Sequence, residues 1–150
     1  MTIITRPAQV EDIPAMQALA QSVQVSERLY STDALRKAIN SENLSVIVAD
    51  SDGEIIGLCK FGTPILEDCD CEDLKLIHDL LVLPDWSWDT IADELLYGVE
   101  ESLNADANIQ RIAVYVDPAQ RHLIQFYAEQ GFHHEEPEDQ DGLWYMELML

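Results

Sequence analysis

Residues 80–96 read LLVLPDWSWDTIADELL, and this stretch decides the fold. Leu80-Leu81-Val82-Leu83 is wholly apolar, as in a strand covered on both faces. Pro84 stops it and Asp85-Trp86-Ser87-Trp88 makes a short turn. Apolar residues then recur at Ile91, Leu95, Leu96, Val99 and Leu103, the spacing of one helix face. Strand, turn and helix in direct succession aim the helix's first N–H groups, and its positive dipole end, at whatever lies above the strand. An anion is the natural occupant of such a place.

Working outward, Leu74 to Leu83 is expected as a long central strand and Asp89 to Leu103 as the helix after it. On the N-terminal side, Thr2 to Thr5 reads as a first strand ended by Arg6-Pro7. Asp12 and Pro14 mark a helix start, with Ile13, Met16 and Leu19 as its apolar stripe. Ser31 or Thr32 caps a second helix near Thr32 to Ile39, after an irregular linker from Ser22 to Tyr30. Leu44 to Ala49 and Glu54 to Phe61 form a hairpin across Asp50-Ser51-Asp52-Gly53.

On the C-terminal side, Ile109 to Val116 is a strand. Asp117-Pro118 is expected to open a helix with Leu123, Phe126 and Tyr127 inward, and Gly131 to end it. Phe132 to His134 and Leu143 to Met149 are the last strands, joined by the polar loop 135–142. The order β α α β β β α β α β β predicts one α/β domain over residues 1–150. Its sheet is mixed, with six to seven strands flanked by about four helices.

Charge sets limits on function. Eight Lys and Arg stand against 29 Asp and Glu, a net charge of −21. That argues strongly against a general nucleic-acid-binding face, and it disfavours an anionic membrane surface. A basic partner, a basic substrate, a salt-rich host or solubility alone would each suit this charge. Mimicry of a nucleic acid against a basic groove is a weaker third idea. No apolar run nears the roughly 20 residues that span a bilayer, and no signal pattern is visible, so a cytoplasmic protein is expected. Cys59, Cys69 and Cys71 are odd in number, which argues against a disulfide framework. Cys69 and Cys71 lie in an acidic loop with no second ligand cluster, and His133-His134 would point to opposite faces of a strand. No metal site is expected. Trp86 and Trp88 either share a contact patch or one of them folds back into the groove beside the helix.

Two motifs carry a family resemblance over nearly the whole chain, Ile3 to Leu148. Phe126-Tyr127-Ala128-Glu129-Gln130-Gly131-Phe132 is similar to the F-Y-x-x-x-G-F of the GNAT superfamily of acyl-CoA-dependent N-acetyltransferases. The opening stretch resembles that family's V-x-P-x-x-R/Q-G-x-G-x-G/A, with Val82, Pro84, Ile91, Leu95 and Leu96 in register. Ile4-Thr5-Arg6-Pro7-Ala8 with Glu11-Asp12 also fits. The resemblance implies acetyl-CoA as cofactor, lodged between the Leu74–Leu83 and Ile109–Val116 strands. Leu81, Val82, Leu83, Ser87, Trp88, Asp89, Thr90, Ile91, Ala92 and Gln120 fall at the cofactor-binding positions. Tyr127 matches the Tyr that often protonates the leaving thiolate. His78 and Asp79 fall where a base is often carried, although strand alternation lets only one of them face the cleft. The acceptor implied is a small-molecule amine or a basic peptide or protein, and a homodimer is common in the family.

The chain departs from the pattern in the turn. Ser87, Trp88 and Thr90 stand where the family has Arg or Gln and glycines, while Ala92 is an ordinary family variant. The basic side chain is gone, Trp88 adds bulk where backbone must approach phosphate, and Asp89 adds a like charge. The alternative reading is therefore a catalytically inactive GNAT-like binding or regulatory module with an acidic surface.

Overall fold

The computed structural model describes residues 2–63, 73–135 and 142–150. The elements are β1 (Ile3–Pro7), α1 (Ile13–Ser22), α2 (Thr32–Asn40), β2 (Leu44–Ser51), β3 (Glu54–Gly62), β4 (Leu74–Val82), α3 (Trp88–Asn104), β5 (Arg111–Val116), α4 (Arg121–Glu129), β6 (His133–Glu135) and β7 (Trp144–Met149). A single 3-10 turn, Val10–Asp12, precedes α1. The protein is α/β, with a mixed seven-stranded sheet in the order β1-β2-β3-β4-β5-β7-β6 and four helices. The chain forms two compact units, and β4 gives residues to both.

The first unit comprises Met1–Gly62 and His78–Ser102. Its hairpin is the tightest element. Asp52 (φ 51°) and Gly53 (φ 95°) are the two loop residues, both left-handed as the twist of the flanking strands requires. Asp50 Oδ1 accepts from the Gly53 N–H at 2.7 Å. On one sheet face α1 and α2 bury Met16, Leu19 and Leu35 against Val46, Val48 and Leu58. Ser31 caps α2 by accepting from the Ala34 N–H at 3.1 Å. Asp12 precedes α1, but its carboxylate grips Arg6 at 2.8 Å and the Gln9 N–H at 2.8 Å instead of capping that helix.

Helix α3 lies so close to the sheet that two glycines are required. A methyl on Gly57 would stand 2.9 Å from Ile91 Cγ2 and 3.0 Å from the Leu81 carbonyl oxygen. One on Gly98 would stand 2.9 Å from Thr5 Oγ1.

The second unit comprises Thr63–Ile77 and Leu103–Leu150. The start of β4 pairs parallel with β5, from Leu74↔Arg111 to Ile77↔Val114. Antiparallel β7 lies beside β5 and pairs with β6. Arg111 joins the strands through side chains, with both Asp73 oxygens at 2.9 and 3.1 Å and Glu147 at 3.3 Å. Helix α4 ends at Gly131 (φ 103°), where the Phe132 N–H bonds the Tyr127 carbonyl and the Gly131 N–H bonds the Ala128 carbonyl, both at 3.0 Å.

Three expectations shift. Arg6 and Pro7 belong to β1 instead of ending it, because the ladder with β2 continues to Pro7↔Ile47. Helix α4 starts at Arg121, not at Pro118. Residues 117–120 form a turn, with Asp117 Oδ1 accepting from the Ala119 N–H and its carbonyl from the Gln120 N–H. Strand β5 starts two residues later than Ile109. Cys69, Cys71 and most of the loop 135–142 lie outside the described residues. No described helix is long and apolar enough to cross a membrane.

Candidate functional site

In the first unit, β4 hands over to α3 through the turn 83–87. The Leu83 N–H donates to the Ile56 carbonyl at 2.8 Å, which ties the end of the strand to β3. The Trp86 N–H then donates back to the Leu83 carbonyl at 3.0 Å. Ser87 starts the helix: its carbonyl accepts from the Ile91 N–H at 3.1 Å, and its Oγ accepts from Thr90 Oγ1 at 3.1 Å. Ile91 and Ala92 are fully buried, so their side chains fix the helix on the sheet. Asp89 and Thr90 are exposed on the first turn, and Trp88 is half-buried.

The turn also answers the backbone question raised by its lost glycines. Among the described residues, the non-glycine positions with left-handed φ are Gln24 and Asp52, neither of them in this turn. Residues 84–90 therefore reach the helix through ordinary right-handed or extended backbone, which a serine or tryptophan adopts without strain. A helix N-terminus of this kind favours an anion. The side chains offer two hydroxyls and two carboxylates, and no cation.

Farther back along β4, Asp79 and His78 point to opposite faces. Asp79 Oδ2 accepts from the Tyr30 hydroxyl at 2.8 Å and pairs with Lys60 Nζ at 3.6 Å. The Lys60 ammonium also stands 4.7 Å from the centre of the Tyr30 ring. Tyr30 is buried, at 2% exposure, and desolvation together with the Asp79 charge pushes its pKa well up. The same two causes raise the thiol of fully buried Cys59. Asp79 is thus a partnered carboxylate in a three-residue cluster. His78 is exposed in area, yet desolvation lowers its imidazole pKa, against a smaller opposing pull from Asp79.

In the second unit, Tyr127 is buried at 3% exposure. Its ring meets Phe126 and Phe132 edge-on at 5.3 and 5.1 Å between centres. Gln120 is exposed and serves as the N-cap position of α4, its carbonyl accepting from Leu123 and Ile124. On β6, His133 is exposed, and His134 stacks on Trp144 at 4.1 Å and 8°.

The family model for the "Acetyltransferase (GNAT) domain" matches residues 14–149. The chain belongs to the GNAT acetyltransferase family. Solved structures of the same fold include a PaiA N-acetyltransferase from Thermoplasma acidophilum in complex with coenzyme A. It is 18% identical with TM-score 0.84, and the match covers 100% of both chains. NAA60 of Arabidopsis thaliana in complex with acetyl-CoA is 15% identical with TM-score 0.79, covering 99% of each chain. A ribosomal-protein-alanine N-acetyltransferase from Brucella melitensis is 18% identical with TM-score 0.79, covering 98% of this chain and 99% of that one. No curated protein matches the sequence.

Within this GNAT chain, the first unit brings together Leu81 through Ala92 as one strand-turn-helix run and sets Asp79 on the face of Tyr30 and Lys60. Sequence reasoning missed Tyr30 and Lys60. One signal was available for Lys60, a lone cation in the apolar strand Glu54-Ile55-Ile56-Gly57-Leu58-Cys59-Lys60-Phe61, where burial demands a counterion.

Proposed function

We propose that the protein transfers an acetyl group from acetyl-CoA to a primary amine on a small molecule or a basic peptide, in the cytoplasm. The observation that carries this reading is the direct passage from β4 through an unstrained turn into α3, which leaves a helix N-terminus at the strand's end. Ser87, Thr90 and the backbone of the first helical turn would hold the pyrophosphate, beside Leu81, Val82 and Leu83. Bound acetyl-CoA would supply the thioester carbonyl. The chain's residues then have two proton tasks: to take one from the attacking amine as the C–N bond forms, and to return one to the departing thiolate as the C–S bond breaks. His78, whose lowered pKa keeps it neutral at pH 7, suits the first task. Tyr127 suits the second. Asp79 points to the other strand face, where Tyr30 and Lys60 hold it, so it takes neither task.

Isothermal titration with acetyl-CoA tests the reading, followed by thiol release with a panel of primary amines. Absence of detectable heat at millimolar ligand would sink it. That result would favour the second reading, a GNAT-like binding module without cofactor, to which the glycine-free, cation-free turn 84–90 already points. A clear rise in melting temperature with acetyl-CoA would count against that module.

A further inference from the structure

The outer face of α3 has a composition unlike the rest of the first unit. Helix α3 carries Asp89, Asp93, Glu94, Glu100 and Glu101, and no basic residue. Tyr97 stands in their midst and is 63% exposed, among the most exposed large side chains described. Helical spacing puts Asp93 and Glu94 one turn before Tyr97, and Glu100 and Glu101 one turn after it, as surface neighbours. One phenol ring is thereby ringed by four carboxylates. Glu100 registers the crowding: desolvation first, and then the Asp93 charge, raise its pKa.

A groove of about 270 Å³ adjoins this face, lined by Gly98, Glu101 and Ser102 of α3 and by Thr5, Arg6, Pro7 and Ile47. Gly98 opens it, since any larger residue would press on Thr5. Its one cation is already neutralised. The Arg6 guanidinium spends its N–H groups on Asp12 and Asp50, at 2.8 to 3.2 Å, and on the Pro7 carbonyl.

We propose that the Tyr97 face of α3 and the adjoining groove dock an arginine- or lysine-rich segment of a partner protein. An exposed aromatic ring within a ring of carboxylates gives a guanidinium or ammonium both a π face and ionic partners. The charge decides between occupants. A nucleic acid would be repelled, and a second copy would bring another 21 negative charges to an already acidic face. Strand addition at the sheet edge is a poor alternative. The Ala8 N–H bonds the Val46 carbonyl at 2.9 Å, so by antiparallel alternation Pro7 faces outward, and it has no N–H to offer. Recognition therefore rests on side chains. The inference stands apart from the cofactor reading, because this face lies on the solvent side of α3 and none of its residues takes part in that chemistry.

Fluorescence anisotropy with a labelled nonapeptide of alternating arginine and glycine tests the surface, in salt of about 150 mM, where distant charges are screened. Tyr97→Ser, and separately the quadruple change D93N/E94Q/E100Q/E101Q, are each expected to weaken binding about tenfold. Tyr97→Phe should retain it. A control that removes four exposed carboxylates elsewhere, D33N/E42Q/D52N/E54Q, should change it less than about twofold. Circular dichroism and melting temperature check that each variant is folded. The proposal is overturned if the control weakens binding as much as the patch variant, if Tyr97→Ser leaves binding unchanged, or if the unaltered protein does not bind the peptide.

Discussion

Tyr30, Lys60 and Asp79 show how one buried hydroxyl can govern a charged pair. Tyr30 donates to Asp79 at 2.8 Å, and its ring faces the Lys60 ammonium that Asp79 also pairs with. Tyr30→Phe keeps the ring and removes only the donor. It is expected to cost about 1–2 kcal/mol, because a half-buried carboxylate loses one of its two partners. Urea unfolding should show a lower midpoint at unchanged slope. A loss below a few tenths of a kcal/mol would mean that water replaces the hydroxyl without penalty. This cluster was hidden in the sequence for a physical reason. Tyr30 and Asp79 are 49 residues apart, and nothing local to either residue records the contact. Asp79 itself was legible, as one of an alternating pair on an apolar strand.

At the scale of elements, α3 sits where it does because β3 carries a glycine beneath it. Gly57→Ala would put a methyl 2.9 to 3.0 Å from Ile91, Leu95 and the Leu81 carbonyl. The Ile91 and Leu95 contacts press α3 off the sheet, and the Leu81 oxygen, in the backbone of β4, cannot swing away. The expected cost is about 1–3 kcal/mol by thermal or chemical unfolding. A neutral result would show that α3 repacks freely on the sheet. The turn that starts α3 yields a second expectation. S87R/W88G/D89G restores a cation, removes bulk and removes a like charge at the helix N-terminus. Acetyl-CoA affinity should rise about tenfold or more, as read by titration calorimetry. Unaltered affinity would mean that this turn does not meet the cofactor. The hairpin, β4 and α3 were readable because turn chemistry and apolar period agree there. Helix α4 was misread at its start because Asp117-Pro118 suits both a cap and a free-standing turn. The Asp117 side chain bonds only two residues on, to the Ala119 N–H, which closes a turn rather than a helix.

For the molecule as a whole, the excess of carboxylates makes stability depend on pH in two opposite senses. Glu100 has a raised pKa in the fold, from desolvation and then Asp93. The folded state holds its proton more tightly, so this group's contribution is present at low pH and lost as pH rises through the folded pKa. Glu100→Gln should therefore melt higher than the unaltered protein at pH 7, and the gap should close below about pH 4. Asp12 and Asp73 run the other way. Hydrogen bonds from Arg6 and Arg111 hold their carboxyls below the usual range. Their contribution is present above the unfolded value and is lost as pH falls through the folded one. Arg111→Met removes the donor to Asp73, so the variant lacks that contribution at every pH. Melting curves should show it below the unaltered protein at pH 6, with the gap narrowing as the medium falls below about pH 4 and Asp73 takes up its proton. Salt separates the bulk charge from these pairs, since raising it should lift the melting temperature of both proteins through screened self-repulsion. A gap that stays constant from pH 6 to about pH 3 would assign the loss to the packing of the Arg111 stem rather than to its charge.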